Sequence, residues 1–124
     1  MEVGGTVKQA VCKKNDLRPG GMMKATLGRM PIVVCRTLDG GFYAFSNQCI
    51  HQGAPMSEGV VCGASAPTDQ PGEYRYVKEG EILRCPWHGR EYDIKNEGRM
   101  LSDPNRRLPG FKVAIEGDDV VVSK

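Results

Sequence analysis

Two short pairings of cysteine with histidine constrain this chain more than any other feature. It holds only two histidines, His51 and His88, and each follows closely on a cysteine. Cys49-Ile50-His51 has a C-x-H spacing, and Cys85-Pro86-Trp87-His88 has a C-x-x-H spacing. Thiolates are soft ligands that suit iron and zinc, and imidazole binds both. Two ligands on each of two loops make four. That number serves a tetrahedral zinc site, or a [2Fe–2S] cluster with two Cys on one iron and two His on the other. Gly53 and Gly89 stand beside the pairs. A residue without a side chain lets backbone N–H groups approach a buried sulfide, which needs such donors.

Composition narrows the alternatives. A chain of 124 residues with 40% apolar content suits one globular domain that buries a core without disulfides. Its 16 Gly and 8 Pro are scattered without period, which indicates short elements joined by many turns. Five cysteines are an odd number for a disulfide framework and point first to metal or redox chemistry in a reducing compartment. The net charge of +2 is too small to indicate nucleic-acid binding. Residues 1–48 carry seven Lys/Arg against three Asp/Glu, and residues 49–98 five against eight. Ordinary solvated surface is the expected meaning of that asymmetry. The start, MEVGGTVKQAVCKK, lacks the apolar stretch of a signal peptide, and the longest apolar run, MPIVVC at 30–35, cannot cross a bilayer. A cytoplasmic protein without membrane contact is expected.

No stretch shows helical periodicity over ten or more residues, whereas strand-like runs bounded by turn residues recur. Strands are expected at 6–12, 22–27, 31–37, 42–45, 80–84 and 91–94, and residues 46–63 are expected to be mostly loop. The run PIVVCRT is rich in β-branched residues. LDGG at 38–41 carries an Asp-Gly hairpin signal, and 110–124 reads as a hairpin of FKVAI, EGDD and VVVS. Residues 64–80 are polar and rich in Pro and Gly, and are read as a surface insertion between the two ligand loops. The expected class is all-β, built from short antiparallel strands.

CIHQGAP followed by CPWHG resembles the two cluster-binding loops of the Rieske iron–sulfur family. The flanks agree, as NQCIHQGAPMSEG and RCPWHGREYDI, and the likeness covers residues 46–63 and 80–94. It implies an antiparallel β sandwich or barrel base, from residues 1–46 and 96–124, and a small cluster-binding subdomain, residues 47–95. It also implies one [2Fe–2S] cluster per chain, with Cys49 and Cys85 on the inner iron and His51 and His88 on the outer. Gln52, Gly53, Trp87, Gly89 and Tyr92 would surround it, with Trp87 as a cover against water. A zinc-stabilised binding module remains an alternative, although structural zinc sites seldom use a C-x-H arm.

Departures from the family pattern sharpen the reading. High-potential members carry an extra Cys in each loop, joined as a disulfide; here those positions are Ala54 and Trp87. A Ser that donates to a sulfide in those members is Arg90 here, while Tyr92 matches a Tyr that donates to a ligand sulfur. The resemblance therefore implies a potential in the lower half of the Rieske range, roughly −150 to +300 mV. No third His is present, so a 2-His-1-carboxylate oxygenase site cannot be built. The expected function is electron carriage between a reductase and a terminal oxygenase or similar acceptor, without catalysis by the chain itself. The alternative is a small Rieske subunit of a larger oxidoreductase such as a nitrite reductase. The 33 residues from Gln52 through Arg84 exceed the family's usual separation, and residues 64–80 account for the excess. Cys12 and Cys35 are expected as buried apolar filler, Cys62 at an exposed edge. Pro55 and Pro86 are expected to stiffen the loops, and the segment PNRRLP, with Arg106 and Arg107, to lie near the cluster. Replacing His51 or His88 by Cys should lower the midpoint potential and alter the visible spectrum; an unchanged spectrum would remove both from the ligand set.

Overall fold

Runs of alternating β-branched and aromatic residues pair here into two antiparallel sheets. The computed structural model describes residues 8–48, 55–67, 74–86 and 89–124. The first sheet contains β1 (Lys8–Lys13), β2 (Met22–Leu27), β3 (Met30–Arg36), β4 (Phe42–Ser46), β10 (Gly110–Glu116) and β11 (Asp119–Ser123). Their order is β1-β11-β10-β4-β3-β2. This sheet curls toward a barrel, and its two edges meet where the Gly28 N–H donates to Gln9 Oε1 at 3.2 Å. The second sheet contains β5 (Val60–Pro67), β6 (Tyr74–Arg84), β7 (Glu91–Asp93), β8 (Arg99–Met100) and β9 (Asp103–Arg107), in that order. Among the described residues there is no α-helix. Among the described residues no helix is long and apolar enough to cross a membrane.

Successive strand residues point to opposite faces, so β3 serves two cores at once. Ile32 and Val34 face the barrel interior with Leu27, Ala44, Val120 and Val122. Val33 and Cys35 face the other way, into a second core shared with Phe45, Leu83, Tyr92, Ile94 and Leu108. Ile32, Val33, Val34 and Cys35 are all fully buried, which is why the sequence there is an unbroken apolar run. Burial pushes the Cys35 thiol up to about 12, so it stays protonated as apolar filler. Cys12 is only half-buried, against expectation, as is Cys62.

The β3–β4 turn ties the sheets together. The Thr37 N–H donates to Gly41 O at 2.9 Å, and Gly40 takes φ +94°, a conformation that favours glycine. Lys95 Nζ and Thr37 Oγ1 both donate to the Asp39 carboxylate, and Lys95 also lies 3.8 Å from Glu81 of β6. The Lys95 hydrogen bond, foremost, holds the Asp39 carboxyl below the usual carboxylate range.

Three features depart from the sequence reading. Within the stretch read as a surface insertion, residues 64–67 and 74–77 are strand: Ala64 pairs with Val77, Ser65 with Tyr76, Ala66 with Arg75 and Pro67 with Tyr74, in the β5–β6 ladder. Accordingly β5 begins at Val60, inside the stretch expected to be loop. Two short strands, β8 and β9, were not expected, and they carry the second sheet to Arg107. Backbone pairing satisfies N–H and C=O groups without apolar side chains, so polar, Pro-containing strands leave little periodic signal.

Phe45 fills the space between the sheets, and its ring lies where a Cβ on Gly98 would stand 2.8 Å away. Phe45→Ala should therefore cost about 3–5 kcal/mol in urea unfolding; a loss under about 1 kcal/mol would mean that the second core is not built around this ring.

Candidate metal centre

Each expected ligand loop is closed at its neck by hydrogen bonds from flanking residues. For the first, Asn47 is the fastening. Its backbone oxygen accepts from the Met56 N–H at 2.7 Å, and its Oδ1 accepts from the Ser57 N–H at 2.7 Å. Asn47 is 4% exposed, so these bonds form away from water. One residue further in, Gln48 and Pro55 form an antiparallel bridge. A single 3₁₀ turn, Met56–Glu58, then leads toward β5. Asn47 and Gln48 are thus tied to Pro55, Met56 and Ser57 across the neck.

The second loop is the tip of the β6–β7 hairpin. Leu83 pairs with Tyr92 and Arg84 with Glu91, and the Cys85 N–H donates to Arg90 O at 2.8 Å. Arg84 Nη2 lies 3.2 Å from Glu91 Oε2 across the same rung. Gly89 turns the loop at φ +66°, a left-handed conformation that an L side chain would strain.

Sheet pairing brings the two loops side by side. Val60, just after the first loop, pairs with Arg84, just before Cys85. Gly59 lies so close to β6 that an added Cβ would stand 1.9 Å from Arg84 O. Both loops therefore leave the same end of the second sheet.

Of the expected ligands, Cys85 is described. It is 2% exposed and packs in the second core with Met56, Leu83 and Tyr92. Cys49, His51 and His88 lie outside the described residues, as do Gln52, Gly53, Ala54 and Trp87. Tyr92 is fully buried in the same core as Cys85, and Gly89 is exposed at the loop tip. The segment expected near the cluster supplies β9 and then Leu108, which is fully buried in that core too.

This environment fits an iron–sulfur group. A cysteine in an apolar core holds its thiolate form only where a metal or hydrogen bonds offset the lost solvation. Cys85 lies at the boundary between that core and a loop tip built for a sharp turn, one residue beyond the Arg84–Val60 pair. Asn47 and Gly59 escaped the sequence reading. A buried Asn directly after an aromatic strand end is a faint signal for a loop fastening, and nothing in the sequence marks the close approach at Gly59.

A family model described as "Rieske [2Fe-2S] domain" matches residues 7–112. The ferredoxin component of biphenyl 2,3-dioxygenase from Rhodococcus jostii is 28% identical over 112 residues, covering 90% of this chain and 88% of that protein. Apoptosis-inducing factor 3 from Homo sapiens is 32% identical over 117 residues, which are 94% of this chain but only 16% of that protein's length. A chain of the solved complex of reduced oxygenase and oxidized ferredoxin in carbazole 1,9a-dioxygenase superposes with a TM-score of 0.71. It is 25% identical, and the match covers 94% of this chain and 93% of that one.

Asn47→Ala leaves the Ser57 N–H without its acceptor and should cost about 1–3 kcal/mol. Gly59→Ala should be worse, since backbone must move. Iron per chain after purification and the urea midpoint read both effects; full iron content and an unchanged midpoint in Gly59→Ala would contradict the packed neck described above.

Proposed function

The chain belongs to the Rieske [2Fe–2S] family, and from that premise we propose that it is a one-electron carrier between a reductase and a terminal oxygenase or similar acceptor. The observation that supports this reading most is the convergence of both ligand loops on one end of the second sheet, through the Val60–Arg84–Glu91 rung. Cys49 and Cys85 would hold the inner iron and His51 and His88 the outer, within a cluster-binding part formed by residues 47–95. When bound, the cluster takes up and returns a single electron.

The chain's own residues hold that centre rigid. The Asn47 fastening, the Gln48–Pro55 bridge and the hairpin rung at Arg84 and Glu91 fix the necks of both loops. Rigid necks mean that little rearranges when charge changes, which favours fast transfer. The apolar core behind Cys85 excludes water from the cysteine side. Neutral imidazole in place of two thiolates makes the centre less negative and raises its potential above that of all-cysteine clusters. With Arg90 where high-potential relatives have a donating Ser, one potential-raising donor is absent, which places the potential in the lower half of the Rieske range. We place the protein in the cytoplasm, in keeping with free thiols at Cys12, Cys35 and Cys62.

The names of the relatives support the carrier reading: one is the ferredoxin component of a dioxygenase, and another match is to a complex of an oxygenase with a ferredoxin. A coulometric titration should take up one electron per chain, with a midpoint between roughly −150 and +75 mV. No electron uptake would overturn the proposal. Purification in a stable complex with a large oxidoreductase subunit would replace a diffusible carrier with a fixed subunit.

A further inference from the structure

The row of Val60, Arg84 and Glu91 continues by one residue. The Leu101 N–H donates to Glu91 O at 2.9 Å, and Tyr92 pairs with Met100 alongside, so Leu101 stands opposite Glu91. Val60, Arg84, Glu91 and Leu101, from four successive segments of the second sheet, thus form one line. Neighbouring strands lie about 4.8 Å apart, which makes the line about 14 Å long. The next row, Val61, Leu83, Tyr92 and Met100, packs in the second core. Side chains alternate between the faces of a sheet, so the outer line points away from that core. Val60 is 51% exposed and Leu101 37%, two of the four exposed large hydrophobics among the described residues. The Arg84 side chain is 51% exposed and that of Glu91 25%.

Along the line the order is apolar, cationic, anionic, apolar. A two-fold rotation lays that order against its own reverse. Val60 then meets Leu101 of a second copy, Arg84 meets Glu91, Glu91 meets Arg84, and Leu101 meets Val60. No like charges face each other, and no apolar side chain faces a charge. The line is therefore complementary to itself, which is what a two-fold symmetric interface requires of a surface. Arg84 Nη2 already donates to Glu91 Oε2 of its own chain at 3.2 Å. A guanidinium carries five N–H donors in a planar fork, so it can take a second carboxylate without releasing the first. We propose that this line is the contact surface of a symmetric homodimer, with a second copy of this chain as its occupant. The four charges alternate across the two-fold axis, flanked by an apolar pair at either end. A line of four residues a side buries less than a permanent interface does, so the dimer is weak and reversible. Val60 and Arg84 border the two ligand loops, and the dimer sets the loop ends of two copies side by side.

The test is sedimentation of the purified full chain over a concentration series reaching millimolar protein. The expected result is a reversible shift from monomer to dimer. Arg84→Glu and Glu91→Arg should each weaken association about tenfold or more, since each sets like charges across the two-fold axis. An equimolar mixture of the two variants should associate as the unaltered chain does, because every charged contact of the mixed dimer then joins opposite signs. Mixing repairs a contact between chains and does not repair damage within one. Leu101→Asp lies outside both loop necks and should also weaken association about tenfold or more; it decides the matter where a change at Arg84 prevents folding. A monomer at every concentration would overturn the inference. So would a mixture that associates no better than either variant alone, or Leu101→Asp that dimerises like the unaltered chain. Because the readout is mass and not electron uptake, the result stands apart from the electron-carrier proposal.

Discussion

The pairing of β6 with β5 on one side and β7 on the other is the interaction on which the rest of the structure depends. It fixes Val60, Arg84 and Glu91 in one row, and each of those residues borders a ligand loop. Separate loops, 33 residues apart in sequence, are therefore held as neighbours by backbone hydrogen bonds. In the proposed carrier, loop necks fixed in this way would suit a centre that changes charge without changing shape.

A sheet carrying such loops needs a surface to rest on, and β3 and β4 provide it by having two apolar faces. Ile32, Val34 and Ala44 complete the barrel interior, while Val33, Cys35 and Phe45 make the floor under the second sheet. Cys85 and Tyr92 pack on that floor, so the stability of the base and the environment of Cys85 are one problem. The Asp39–Lys95 pair adds a polar clasp at the edge of the same contact. Exposed ion pairs of that kind contribute little stability; the apolar floor carries the contact.

What was legible in the sequence, and what was not, follows from side-chain chemistry. The strands with strong apolar alternation, β2, β3, β4 and the β10–β11 hairpin, were readable because burial selects their residues. The expected ligand pairs stood out because so few residue types bind iron and the sequence holds only two histidines; of the four residues, Cys85 is among those described. The outer part of the β5–β6 hairpin and strands β8 and β9 were not, since sequences such as ASAP and DPNRR look like turns and owe their strand form to pairing alone. Asn47 and Gly59 were missed because their roles depend on which distant segment lies against them, the Met56–Ser57 backbone and Arg84 respectively.

In the proposed carrier, one mixed His/Cys cluster is held where the two loops meet. The most direct measurement is an EPR spectrum of the dithionite-reduced protein, taken together with iron and acid-labile sulfide analysis. The account predicts a rhombic signal with an average g below that of all-cysteine [2Fe–2S] clusters, with two irons and two sulfides per chain. Absence of the signal, with one zinc per chain and no sulfide, would contradict it and would mean that the two loops serve structure alone.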